Sequence, residues 1–320
     1  MRFLSGGEVV AVDSELAWVD RLVGRATGHP EPAAPDLTPT VAVRVEASTA
    51  PFDRTGLRTI TRGGYGDGLH ALLRNACGSG FDLLVGTGEQ LTVTARYRPG
   101  LPIRAANRLL SRRFGLLAGQ VLVHYPVLWR AGWRGRVPLH ASVVRTDAGT
   151  PLLAGPGGVG KSTVLARALA AGASATSDNL CCADTRSCFG IAEPMRTDAT
   201  GARGARTSHD RVEVRLPGRV GELSPDRLVV LERGPRTDIA AIEPQDAADA
   251  LIAGTYAAGE LRRYWAFAAT LALATGRGPA HPPIAEVAAG YAARLSGARV
   301  RVGDGQSVSV GQLCGEVMAP

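Results

Sequence analysis

The chain has 320 residues, 45% of them hydrophobic, which is length for two domains or one large one and enough apolar content for a core. Thirty-six basic and 29 acidic side chains leave a formal net charge of +7. With arginines spread along the whole chain and only 5% aromatic residues to stack on bases, that charge reads as a solvated surface and argues against nucleic acid as a partner.

Met1-Arg2-Phe3-Leu4 runs straight into Ser5-Gly6-Gly7-Glu8, too short for a signal-peptide core. The longest apolar run, residues 265–275, is well under a membrane span, so a soluble, cytoplasmic protein is expected, with no membrane partner. Cys77, Cys181, Cys182, Cys188 and Cys314 are odd in number and irregular in spacing. They fit buried or idle thiols better than a zinc site.

In chain order, residues 8–12 predict a strand, after which Asp13-Ser14 caps a short helix carrying Leu16, Val19, Leu22 and Val23 on one side. Residues 24–40 hold four prolines and predict a loop. Residues 41–46 alternate, with valines on one face and Arg44 and Glu46 on the other, and predict a half-exposed strand. Strands over 57–62, 81–85 and 91–97 and a helix over 67–77 complete a small N-terminal α+β domain, residues 1–102. Nothing in it looks catalytic, and His29 and His70 lack spaced partners, so recognition or oligomerisation is its expected role. Residues 103–132 turn helical, with Arg112-Arg113 on the wet face.

A second domain, residues 103–320, holds the informative motifs. Residues 137–144 predict a strand with His140 inside it, and residues 151–154 a short buried strand. Gly155-Pro156-Gly157-Gly158-Val159-Gly160-Lys161-Ser162 then fits the P-loop pattern, in which backbone N–H groups curl round phosphate, the lysine reaches the β/γ oxygens and the serine holds Mg²⁺. A helix over 162–171 follows, capped by Gly172. Strand, glycine loop and helix N-terminus together make an anion site. Lys161 is the only lysine in the chain, the other 35 (36 − 1) basic residues being arginine. A compact ammonium suits a phosphate cradle where a planar guanidinium does not. Gly155, Gly157, Gly158, Val159, Gly160, Lys161, Ser162 and Thr163 are the candidate nucleotide contacts.

Residues 174–183 predict another strand, interrupted by Ser177-Asp178-Asn179. A carboxylate near the end of a strand close to a P-loop is where a base or metal ligand is placed in such folds. Residues 198–215 predict a mobile loop over the site, whose Arg203, Arg206 and Arg211 either meet phosphate or an acidic substrate or are merely solvated. Residues 228–232 predict a central strand resembling a Walker B segment, with Glu232 where Asp is usual. Helices over 247–262, 264–275 and 284–295 and a strand over 299–302 close the chain.

At Leu139-His140-Ala141, the P-loop and Asp178-Asn179, residues 103–302 resemble the HPr serine kinase/phosphorylase family, most of all its freestanding relatives beside peptide-tailoring genes. The resemblance implies an α/β P-loop domain related to ATP-type phosphoenolpyruvate carboxykinase. It implies an ATP- and Mg²⁺-dependent kinase acting on a hydroxyl, serine first, of a peptide, a protein or a small metabolite. Asp178 would be the general base and His140 would lie beside the γ-phosphate. Lys161 and the loop amides would hold the triphosphate, and Ser162 would bind Mg²⁺, with Asp178, Asn179 and Glu193 as further candidate metal ligands. The family has two acids where this chain has Asp178 and Asn179. An amide coordinates Mg²⁺ through its carbonyl but cannot take a proton.

Other readings stay open on the residues alone. His140 also fits a packed core histidine, and Asp178 an Asx-turn residue. A non-catalytic ATP-binding switch or scaffold is the main competing function, kept alive by Asn179. A transport ATPase would need a signature that Leu295-Ser296-Gly297-Ala298-Arg299 matches poorly, and a carboxykinase a second metal site that the sequence does not offer.

Overall fold

The structure, a computed structural model, describes residues 1–198, 205–206 and 211–315. The chain is mixed α/β and divides into two compact units, Met1–Gly135 with Arg263–Pro282, and Arg136–Arg262 with Pro283–Pro320.

The first unit is built on strands β1 (Arg2–Ser5), β2 (Glu8–Ser14), β3 (Val41–Glu46), β4 (Arg58–Thr61), β5 (Gly64–Gly66), β6 (His70–Leu73), β7 (Phe81–Thr87) and β8 (Leu91–Tyr97). They form one sheet in the order β1-β2-β3-β8-β7-β6-β5-β4, parallel across β2, β3 and β8 and antiparallel elsewhere. Helix α1 (Ala17–Ala26) starts without a side-chain cap. Ser14 cannot serve as one, because it is still in the β2 ladder opposite Val45, and its hydroxyl instead accepts the Leu16 N–H.

Two expectations fail in this unit. Residues 67–77 are not a helix: β5 and β6 form a hairpin whose Asp67 carboxylate accepts the N–H groups of Leu69 and His70. Ala71, Leu72 and Leu73 are all buried, because the helix Tyr264–Thr275 packs on β5 and β6. A strand covered on both sides is a continuous apolar run, which spacing alone does not separate from a helix. The boundary expected after residue 102 also falls inside the unit. Helices α2 (Leu101–Leu109), α3 (Ser111–Gly119) and α4 (Tyr125–Gly132), with a π-helical turn at Gln120–His124, stay with it. Tyr125, Val127, Leu128 and Trp129 are buried, and α4 packs on β2, β3 and β8.

The second unit begins with β9 (Val137–Leu139), β10 (Ser142–Arg145), β11 (Pro151–Ala154), α5 (Lys161–Ala170), β12 (Ser174–Ala175), β13 (Cys181–Ala183) and β14 (Cys188–Gly190). It continues through β15 (Met195–Asp198), β16 (Ala205–Arg206), β17 (Arg211–Val214), β18 (Glu222–Leu223), β19 (Arg227–Arg233), β20 (Asp238–Ala241) and α6 (Pro244–Ala257). After α7 (Tyr264–Thr275) of the first unit come α8 (Ile284–Arg294), β21 (Ser296–Val302) and α9 (Val310–Gly315). A six-stranded sheet runs β12-β10-β11-β19-β21-β20, with β11, β19 and β21 parallel. An antiparallel sheet runs β18-β14-β13-β9. Val164, Leu165 and Leu169 of α5 join Leu153, Val229, Leu231 and Val300 in one core cluster. Each such side chain contributes roughly 1.5–3 kcal/mol of burial.

Residues 137–144 and 174–183, each expected as one strand, are each two. β9 and β13 pair in the smaller sheet, β10 and β12 in the larger. The breaks fall at 140–141 and 176–180, so the polar residues that spoil each strand pattern sit where both chains cross between sheets. Residues 198–215, expected as a loop, instead contribute β16 and β17 to a three-stranded sheet with β15. Arg203 lies outside the described residues.

Candidate active site

Pro151–Ala154 is short and fully buried, so the chain must leave β11 at the end of the parallel ladder, beside β19. Ligand sites of open α/β sheets form at such strand ends. Gly155 makes the exit with φ +133°, and a side chain there would strike the Leu231 carbonyl oxygen. Gly160 is the N-cap of α5, and Lys161, Ser162 and Thr163 form its first turn, with their N–H groups at the positive end of the helix. Gly155, Gly157, Gly158, Val159 and Gly160 therefore form one continuous turn between strand and helix.

Lys161 is 5% exposed. Its Nζ donates to the carbonyls of Gly155 at 2.6 Å and Pro156 at 3.0 Å. Burial pulls its pKa down to about 8, against the pull of Asp178 and Glu260 in the other direction. The ammonium thus folds back over its own loop.

Asp178, 2% exposed, lies in the crossing between β12 and β13. The Ser142 hydroxyl donates to its backbone carbonyl. Its Oδ2 accepts the Arg196 N–H at 3.0 Å, while the buried Oδ1 has no hydrogen-bond partner among the described residues. Burial pushes the carboxyl up, opposed by the Arg196 N–H, the nearby Ser162 hydroxyl and the charges of Arg196 and Arg211. Thr176 Oγ1 and Ser177 Oγ are also buried without partners among the described residues. Buried polar atoms are nearly always satisfied, so three orphans in successive residues mark a place built to meet something else.

His140 is held from α6. Its N–H donates to Thr255 Oγ1 at 3.2 Å, and Nδ1 lies 3.2 Å from the Gly254 carbonyl. Nε2 lies 2.8 Å from Asn179 Oδ1. Burial first, then the Lys161 charge, push the ring's pKa down, which makes it neutral. A carbonyl only accepts, so the single ring proton belongs on Nδ1, and Nε2 needs a donor. An Asn179 amide turned with its NH₂ to the ring would meet that need and release its oxygen. His140 is thus buried and fixed between α6 and the Asn179 amide.

Glu193, 3% exposed, accepts the N–H groups of Asn179 and Leu180 on Oε1 at 2.9 and 2.8 Å. Burial raises its pKa to about 8, with Arg196 opposing and Asp178 adding to the rise. It braces the Asp178–Asn179 backbone. Gly190 locks the same region, since a side chain there would run into the Thr176 backbone.

Four participants were not legible in the sequence. Arg196 holds Asp178 through its N–H and reaches Glu260 Oε1 at 2.6 Å. Met195, buried in the core cluster with α5, anchors it. Burial pushes Glu260 up, but Arg196 more than offsets this and holds it below its ordinary value. Gly254 and Thr255 complete the set. Their contacts span 18 to 115 positions, and no periodicity announces them. Glu232, the Walker B candidate, pairs instead with Arg299 at 3.5 Å and Arg301 at 4.0 Å. The structure thus brings together Lys161, Ser162, His140, Asp178, Asn179 and Glu193.

Among the described residues no three His, Cys, Asp or Glu side chains converge as a metal cage. All five cysteines are free. No described helix is long and apolar enough to cross a membrane. No protein-family model matches the chain, and no curated protein matches it.

Proposed function

We propose that this chain is an ATP- and Mg²⁺-dependent kinase of the HPr serine kinase/phosphoenolpyruvate carboxykinase type, phosphorylating a hydroxyl, serine first, of a peptide, a protein or a small metabolite. The observation that carries the reading is the buried Oδ1 of Asp178, without a hydrogen-bond partner among the described residues, on a carboxylate of raised pKa beside the serine of a P-loop motif. Phosphoryl transfer needs a triphosphate cradle, a metal and one positioned base, and little else.

The residues fit those groups. The N–H groups of Gly155 and residues 157–163 and the Lys161 ammonium, released from the Gly155 and Pro156 carbonyls, would hold the triphosphate. Ser162, Asp178 and the Asn179 amide oxygen would hold Mg²⁺. Because Mg²⁺ is usually bound by one or two carboxylates plus phosphates, a full protein cage is not needed. ATP supplies the phosphoryl group and Mg²⁺ spreads its charge. Asp178 accepts the acceptor hydroxyl's proton at Oδ1, and burial, by raising its pKa, makes it a better base. Arg196 and Glu193 keep its carboxylate and backbone in place.

The test is purified full chain with γ-labelled ATP and Mg²⁺ against serine, threonine and tyrosine peptides and small hydroxyl metabolites. Label transferred to an acceptor, and lost in Asp178→Asn, supports the kinase. A second reading, a nucleotide-binding switch without transfer, is favoured by Asn179 in the place of a second acid. Tight ATP binding with no transfer to any acceptor would select it.

A further inference from the structure

A separate cleft in the first unit uses none of these residues. Its volume is about 140 Å³. Phe52 and Leu72, both buried, form its floor, and Arg54, Arg74, Arg98 and Asp82 its rim. Three cations face one anion, and that anion is already spent. Asp82 Oδ2 accepts Arg98 at 2.6 Å and Oδ1 accepts the Asn75 N–H at 2.8 Å. Arg98 Nε is committed as well, to the Thr49 carbonyl at 2.6 Å.

Arg54 and Arg74 are exposed and meet no carboxylate among the described residues. Neighbouring Asp53 gives Oδ1 to Thr55 instead. Arg54 donates to Tyr65 Oη at 3.2 Å, and its guanidinium lies over the Tyr65 ring, 5.2 Å from the centroid. The phenol of Tyr65 is held below its ordinary pKa, first by the Arg54 hydrogen bond and then by Arg74. Arg54 and Arg74 thus line the cleft beside Arg98 with no carboxylate of their own, an arrangement that suits an oxyanion.

Size narrows the class. Pockets for nucleotides and other drug-sized ligands begin at about 300 Å³, so this cleft takes one small group. An apolar floor under a cationic rim fits a short hydrocarbon stem ending in negative charge. We propose that the cleft bounded by Arg54, Arg74 and Arg98 over Phe52 and Leu72 binds the oxyanion of an acidic amino-acid side chain, a carboxylate or a phosphate monoester.

The probes are N-acetylated amides of phosphoserine and glutamate, with inorganic phosphate as the free ion. Binding to the full chain is followed through the arginine Nε–H NMR signals of Arg54 and Arg74, assigned by their loss in the variants. Site-resolved signals keep the result independent of any binding at the P-loop. At least one amide should shift both signals saturably and more tightly than inorganic phosphate. Calorimetry should then show at least tenfold weaker binding in Arg54→Gln/Arg74→Gln. Arg104→Gln/Arg108→Gln, an exposed pair with the same loss of charge, should bind as the parent does. No saturable shift up to about 10 mM, where binding is worth less than about 3 kcal/mol, would overturn the proposal. Equal or tighter binding of inorganic phosphate would overturn the side-chain source. Equal weakening in the control pair would reduce the effect to diffuse charge and overturn the site.

Discussion

On the proposed reading, Lys161 holds and Asp178 reacts. Lys161 is buried, loses part of its basicity to burial, and spends two protons on the carbonyls of Gly155 and Pro156. Replacing it by alanine removes the cation and leaves those two carbonyls without their donor. ATP affinity, read by calorimetry, should fall at least tenfold, in line with the roughly 1.5–3 kcal/mol of a charged hydrogen bond. Asp178→Asn keeps the shape and the Arg196 N–H contact but removes the base. Its ATP affinity should stay within a few-fold of the parent while transfer falls about 10²–10⁴-fold in a single-turnover assay. An unchanged transfer rate would take the base role from Asp178.

At the scale of elements, the β5–β6 hairpin shows a turn held by one carboxylate. The N–H groups of His70 and Leu69 and then the His70 side chain hold Asp67 down at about 2, from an ordinary 3.8. Between those values the folded chain binds fewer protons than the unfolded one, so stability is present above pH 3.8 and lost as pH falls through about 2. Melting temperature should therefore drop on acidification through this window, and Asp67→Asn should flatten that part of the curve. The crossings β9–β10 and β12–β13 show the opposite case, in which several distant elements fix one turn. His140 is held from α6, Asn179 from Glu193, and Asp178 from β15.

Over the whole molecule, the chain leaves the first unit after Gly135 and re-enters it for Arg263–Pro282. α7 covers β5 and β6, and α4 covers β2, β3 and β8. A fragment of residues 1–102 strips both covers and should lack a cooperative thermal transition. Residues 1–135 joined by a flexible linker to 263–282 should regain one, read by circular dichroism. The sequence by itself determined what depends on neighbours a few residues apart: the P-loop and its helix, the alternating strands 41–46 and 91–97, the span of α7, and Lys161 and Asp178 as candidates. Such features come from local spacing, and spacing is written in the chain. Only the tertiary structure decided that residues 70–73 are a covered strand, that 137–144 and 174–183 each split between two sheets, and that Arg196, Gly254, Thr255 and Glu260 gather round His140 and Asp178. The reason is that burial on both faces erases periodicity. Contacts between residues some 60 to 115 positions apart leave no local pattern to read.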